Sequence, residues 1–121
     1  MTKILCIDDS LVMRKLLTSA LEQAGYDVVT GVDGIDGLRV LDENPDVSVI
    51  ITDINMPNLD GFGVIKEVRA KEAFRRVPII VLTTESNNEK KRQARDAGAT
   101  GWIVKPFTSV SLISAIRRVS A

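Results

Sequence analysis

The sequence predicts a doubly wound α/β domain, a five-stranded parallel sheet with helices on both faces. Short β-rich runs alternate with helical ones five times along the 121 residues. Three of those runs are continuously apolar rather than alternating, as expected of strands covered on both faces. The length suits one domain around one core.

The first strand is read over Lys3–Ile7. Met13, Leu16, Leu17, Ala20, Leu21 and Ala24 follow at helical spacing, and Gly25 supplies a stop. A second strand covers Asp27–Thr30, and the turn from Gly31 to Gly34 leads to a helix carrying Leu38 and Leu41, closed by Asn44-Pro45. The third strand is Val47–Thr52; the third helix starts near Asp60 and is expected to bury Phe62, Ile65 and Val68. The fourth strand is read over Pro78–Leu82. The fourth helix, Asn88–Ala97, is polar, with only Ala94 and Ala97 as inward candidates, and Gly98 ends it. The fifth strand is Gly101–Val104, and the fifth helix, Val110–Ser120, uses Leu112, Ile113, Ile116 and Val119. No linker or low-complexity tract interrupts this pattern, so residues 1–121 are expected to form one domain with right-handed crossovers.

Composition removes several function classes. Lys plus Arg and Asp plus Glu both count 16, so no global field favours nucleic acid or a membrane. The basic run Lys90, Lys91, Arg92 and Arg95 lies on a helix with few core contacts, which reads as a candidate for movement and equally as a solvated face; it lacks the aromatic interleaving of a nucleic-acid surface. Histidine is absent, which excludes imidazole bases and His-based metal sites. The single cysteine, Cys6, sits in an apolar run and reads as a small buried hydrophobe. Asp8-Asp9 cuts the N-terminal apolar run too short for a signal peptide, and no segment is long enough to span a bilayer. A soluble, cytoplasmic protein is the expectation.

In doubly wound sheets, ligands bind outside the carboxyl ends of the strands. Here those ends carry Asp8-Asp9, Asp53, Thr83-Thr84 and Lys105-Pro106. Singly, each has a structural reading as a helix cap or a turn. Together they gather three carboxylates, two hydroxyls and an ammonium. Adjacent carboxylates repel, and a divalent cation relieves that repulsion. An all-oxygen donor set favours Mg²⁺ over Zn²⁺. With Lys105 and free backbone N–H groups, the set suits a phosphoryl group. Asp53 then reads as a carboxylate nucleophile, and the stiff turn Asn55-Met56-Pro57 as backbone facing metal and phosphate.

The motifs IDDS at 7–10, TDINMPNLDG at 52–61, VLTTES at 81–86 and GATGWIVKPF at 98–107 resemble those of the receiver domains of two-component response regulators. The resemblance covers essentially the whole chain, and within the family it is strongest to the stand-alone chemotaxis type. It implies a flavodoxin-like strand order 2-1-3-4-5. It implies that Asp53 is the phosphoacceptor, that Asp9 binds Mg²⁺ directly, that Asp8 does so directly or through water, and that the Asn55 carbonyl is a further ligand. Thr83 matches the hydroxyl that moves to the phosphoryl group, and Lys105 the ammonium that pairs with it, its peptide to Pro106 being cis. Asn55 and Glu85 match positions that tune dephosphorylation. Trp102 stands where the family usually has a Tyr or Phe switch. Strand alternation points it opposite to Ile103 and Lys105; its larger ring is expected to fit inward less readily, and a half-buried core tryptophan is the competing reading.

The implied function is phosphorylation-controlled signalling rather than enzymatic turnover, the chain assisting only its own phosphorylation and dephosphorylation. A histidine kinase is the implied phosphodonor. The implied target binds the face of the fourth helix, fifth strand and fifth helix, a flagellar motor switch protein being one such target. A phosphatase is a further implied partner, and a monomer is expected. A phosphorelay intermediate or phosphate sink is the first alternative. A haloacid-dehalogenase-like phosphohydrolase is more remote: its Asp-x-Asp follows the first strand, whereas Asp53-Ile54-Asn55 follows the third. A flavodoxin-type nucleotide binder would rest on Gly61-Phe62-Gly63, a lone Gly-x-Gly without a third glycine.

Overall fold

The structure is a computed structural model and describes residues 2–120. Its elements run β1 (Lys3–Ile7), α1 (Leu11–Gln23), β2 (Asp27–Gly31), α2 (Gly34–Glu43), β3 (Val47–Thr52), α3 (Gly61–Ala70), β4 (Ile79–Thr83), α4 (Asn88–Ala97), β5 (Gly101–Val104) and α5 (Ser109–Ser120). The strands form one parallel sheet in the order β2-β1-β3-β4-β5, as the resemblance implies.

The period of two along each strand builds two cores. Leu5, Ile7, Ile50, Ile79 and Val81 face α2, α3 and α4, where Leu41, Val64, Ile65, Val68 and Ala94 complete one cluster. Ile4, Cys6, Val49, Ile51, Ile80 and Leu82 face α1 and α5, against Leu17, Leu21, Leu112 and Ile116. Burial pushes the Cys6 thiol up to about 12, with the Asp8 charge adding to the effect, so Cys6 is a packed hydrophobe rather than a reactive thiol.

Four helices are each fixed at their start by a side-chain cap. Ser10 Oγ accepts from the Met13 N–H, an Asp33 oxygen from Asp36, an Asp60 oxygen from Gly63, and Asn87 Oδ1 from Glu89 and Lys90. Gly98 ends α4 in the left-handed region, φ 117°. The side chain of Arg69 ties α3 to this end of α4: Nε and Nη2 donate to the Gly98 carbonyl at 3.0 and 2.8 Å, and Nη1 donates to the Val77 carbonyl at 2.7 Å.

Several boundaries and faces differ from the sequence reading. β4 spans Ile79–Thr83 rather than Pro78–Leu82, because Pro78 has no N–H for the ladder while Thr83 pairs with Val104. β2 extends to Gly31, opposite Ile7, and α5 begins at Ser109. A short 3-10 helix, Glu72–Phe74, was not anticipated. On α1 the buried stripe is Leu17 and Leu21, while Leu16, one residue round the helix, is 52% exposed and Ala24 is exposed. On α3 Val64 is fully buried and Phe62 only half-buried. Ala94 is the one buried residue of α4; Ala97 is half-buried.

Candidate functional site

Parallel pairing brings the strand ends to one edge. The Asp8 N–H donates to the Gly31 carbonyl, and the Asp53 N–H donates to the Ile7 carbonyl, both at 3.1 Å. Asp53 is thereby seated directly beside the end of β1. Asp8 and Asp53 are buried, and Asp9 is exposed. One carboxylate oxygen from each of the three lies within 4.8 Å of the others.

Lys105 closes the group. Its Nζ donates to Asp8 Oδ2 at 2.8 Å and to Asp53 Oδ2 at 2.9 Å. Burial alone would lower its pKa, but the hydrogen bonds to Asp8 and Asp53 and their charges outweigh burial and hold it above the ordinary lysine value. The remaining oxygens are held by backbone. Asp8 Oδ1 accepts from the Ser10 N–H at 2.9 Å, and Asp53 Oδ1 from the Ile54 N–H at 2.6 Å. Arg14 Nη1 donates to the Asp8 carbonyl at 2.7 Å, fixing the β1–α1 turn; the sequence reading did not single it out. The Lys105-Pro106 peptide is cis, as the resemblance implies.

The donors fit a hard divalent cation: three carboxylates in reach of one another, all oxygen, with one exposed side at Asp9 for entry. Asn55 lies exposed on the loop just past Asp53.

Thr83 is fully buried at the end of β4, and its Oγ1 accepts from the Glu85 N–H at 3.3 Å. The Glu85 carbonyl in turn accepts from Trp102 Nε1 at 3.2 Å. This is the half-buried tryptophan of the competing reading. The ring is half-buried against the α2–α3–α4 core, the cluster that excludes Ile103, and its N–H has a partner. Glu85 also pairs with Lys90 of α4 at 3.5 Å.

Gly61-Phe62-Gly63 is not a phosphate loop. A Cβ on Gly61 would overlap the Asp53 carbonyl oxygen, and one on Gly63 would overlap Leu59 Cδ1. These glycines let α3 start flush against the β3–α3 loop.

Residues 4–117 match the response regulator receiver domain model. The chain belongs to that family. Its members are signalling proteins. The chain is 42% identical to the chemotaxis protein CheY1 of Helicobacter pylori J99 over 88% of this chain and 86% of that protein. It is 40% identical to a CheY homologue of Campylobacter jejuni over 88% and 82% of the respective lengths. The structure of chemotaxis protein CheY4 from Vibrio cholerae superposes with TM-score 0.94 at 41% identity, covering 98% of both chains. The receiver domain of the sensor histidine kinase PA1611 from Pseudomonas aeruginosa, with a magnesium ion coordinated in its active-site cleft, matches with TM-score 0.90 at 30% identity over 99% of this chain and 98% of that one. The chain is thus a two-component response regulator receiver closely resembling CheY chemotaxis regulators. Among the described residues no helix is long and apolar enough to cross a membrane.

Proposed function

We propose that this receiver takes a phosphoryl group onto Asp53 from a phosphohistidine of a partner kinase, and that phosphorylation controls its binding to a target protein, in chemotaxis. The observation that carries this reading is the convergence of Asp8, Asp9, Asp53 and Lys105 at one sheet edge. The kinship with chemotaxis regulators supports the pathway. The target surface is the face of α4, β5 and α5, and the setting is the cytoplasm.

A carboxylate oxygen of Asp53 attacks phosphorus and forms the acyl phosphate P–O bond. The P–N bond to the donor imidazole breaks, and the nitrogen keeps its electron pair. Lys105, at 2.9 Å from Asp53, stabilises the negative charge of the transferred group. Mg²⁺ held by Asp8, Asp9, Asp53 and the Asn55 carbonyl would neutralise charge between carboxylates and phosphoryl oxygens; the magnesium in the PA1611 receiver supports that choice of ion. Thr83 supplies a hydroxyl donor, and Asn55 and Glu85 flank the path of the water that ends the signal.

Intact-mass measurement after treatment with acetyl phosphate tests this reading. One phosphoryl group is expected, mapping to Asp53, and none without Mg²⁺ or Mn²⁺. Asp9→Ala is expected to weaken Mg²⁺ binding by about tenfold or more, by analogy with lost metal-site groups. Metal-independent labelling, or unchanged Mg²⁺ affinity in that variant, would refute the site.

Lys105→Ala separates the lysine from the metal. In the metal-free site the ammonium stands between two buried carboxylates. Its loss strands their charges, so the metal-free variant is expected to be less stable by about 3–5 kcal/mol. Mg²⁺ should restore more stability to it than to the parent and bind no more weakly. Labelling survives, but target binding no longer responds. Weaker Mg²⁺ binding, or normal target activation, would count against this division of labour.

A further inference from the structure

The β3–α3 loop carries Asp53 at its start and Asn55 two residues on, so its placement sets the geometry of the proposed site. It is anchored near its base, where the Gly61 N–H donates to the Ile54 carbonyl at 2.9 Å. Its far side is anchored elsewhere. Asn58 Nδ2 donates to Asp33 Oδ2 at 2.6 Å, across 25 residues of sequence.

Both partners are unusually constrained. Asn58 has φ 70°, and it is the only non-glycine residue with positive φ among the described residues. The Leu59 N–H donates to the Pro57 carbonyl at 2.8 Å, closing a three-residue turn about Asn58, the strained one of the two γ-turn forms. Asp33 caps α2 through its other oxygen, which accepts from the Asp36 N–H at 2.8 Å. Asp36 reaches back in turn, accepting from the Val32 N–H at 3.0 Å. The β2–α2 turn is therefore a rigid post. Gly34 lets the loop lie directly on it, because a Cβ there would overlap the Leu59 carbonyl oxygen.

We propose that Asp33 and Asn58 are positioning residues: their bridge holds the strained turn and keeps the Asn55 backbone in place for the cation. This rests on the metal reading given under Proposed function. The pair lies at the surface, so its loss leaves both cores intact. Its effect should appear in loop order and metal affinity rather than in global stability.

The polarity of the bridge provides the test. Asn58→Asp faces a carboxylate with a carboxylate, while keeping a residue type that tolerates positive φ. Asn58→Gly keeps the backbone freedom and loses the donor. Adding Asp33→Asn to Asn58→Asp exchanges donor and acceptor and rebuilds the bond, and the asparagine retains an oxygen to cap α2. In the metal-free chain, amide hydrogen exchange over residues 55–59 is expected to rise in both single variants and to return in the exchanged pair. Mg²⁺ affinity should fall by about tenfold in the singles, as for lost outer supports of metal sites, and recover with the exchange. The added charge of Asn58→Asp would by itself attract Mg²⁺, so a loss there cannot be a field effect. Single variants with parental exchange and affinity overturn the proposal, as does an exchanged pair no better than Asn58→Asp. A parent that binds no Mg²⁺ overturns the metal reading instead, and the metal-free exchange still decides whether the bridge holds the loop.

Discussion

Asp53→Asn is expected to lose phosphoryl labelling by orders of magnitude while keeping its fold. The carboxylate is the attacking group in the proposed transfer, and a neutral amide with a delocalised lone pair is a far weaker nucleophile. The substitution is nearly isosteric, so the place beside the end of β1 is kept. The Asp53 N–H bond to the Ile7 carbonyl is unaffected, and the amide oxygen can still accept from the Ile54 N–H. Lys105 is not orphaned, because Asp8 remains at 2.8 Å. The variant also removes one of two buried carboxylates that share that single ammonium, which offsets the loss of its ion pair. Melting should therefore change little in the metal-free protein, whereas the gain in melting temperature on adding Mg²⁺ should shrink. The neighbouring carboxylates make the experiment discriminating. Asp8 has both oxygens engaged, by the Ser10 N–H and by Lys105, and Asp9 is exposed. Phosphoryl label retained on Asp53→Asn, at either neighbour, would transfer the acceptor role away from Asp53.

The parts of this site that the sequence made legible are those written as strand ends. β1, β3, α4 and β5 have the bounds their periodicity predicts. Once strands run parallel in this order, Asp8, Asp53, Thr83 and Lys105 have to emerge at one edge. Capping was misplaced: the cap readings fell on Asp8-Asp9 and Thr83-Thr84 at the strand ends, whereas Ser10, Asp33, Asp60 and Asn87 cap the helices, because the caps sit where the helices begin and not where the strands stop. What stayed hidden are contacts with no period. The Asn58–Asp33 bridge, the Arg69 bonds to the Gly98 carbonyl, and the indole bond to Glu85 each join residues far apart in sequence. An arginine on a helix face or an asparagine in a loop reads as solvated unless the third dimension is known. Leu16 shows the opposite error: an apolar residue at a helical position need not be buried, because the arc of α1 that meets the sheet is narrower than its apolar face.

The second large effect concerns Thr83 and Trp102. The backbone of Glu85 is held on both sides of its Cα, its N–H by Thr83 Oγ1 and its carbonyl by Trp102 Nε1. A hydroxyl drawn toward a phosphoryl group on Asp53 leaves the Glu85 N–H without its acceptor. The 84–85 peptide then has reason to turn, and a matching change about the Glu85 Cα moves the carbonyl that holds the indole. A cleft of about 120 Å³, lined by Lys91, Ala94, Arg95, Ala99 and Trp102, lies beside the ring between α4 and β5. It offers space for the indole to pack more deeply. Helix α4 is coupled to the same motion through the Glu85–Lys90 pair and is retained at its other end by Arg69. Phosphorylation, or a beryllofluoride-type mimic, is expected to shift the emission of Trp102, the only tryptophan, and to reduce its quenching by iodide. Thr83→Ala is expected to abolish that shift while labelling of Asp53 largely survives. It removes the hydroxyl that accepts from the Glu85 N–H together with a buried methyl, and should cost stability about 1–3 kcal/mol. Emission and quenching unchanged on full phosphorylation would make Trp102 a static core residue. A full shift in Thr83→Ala would mean that the signal reaches the indole without passing through the backbone of Glu85.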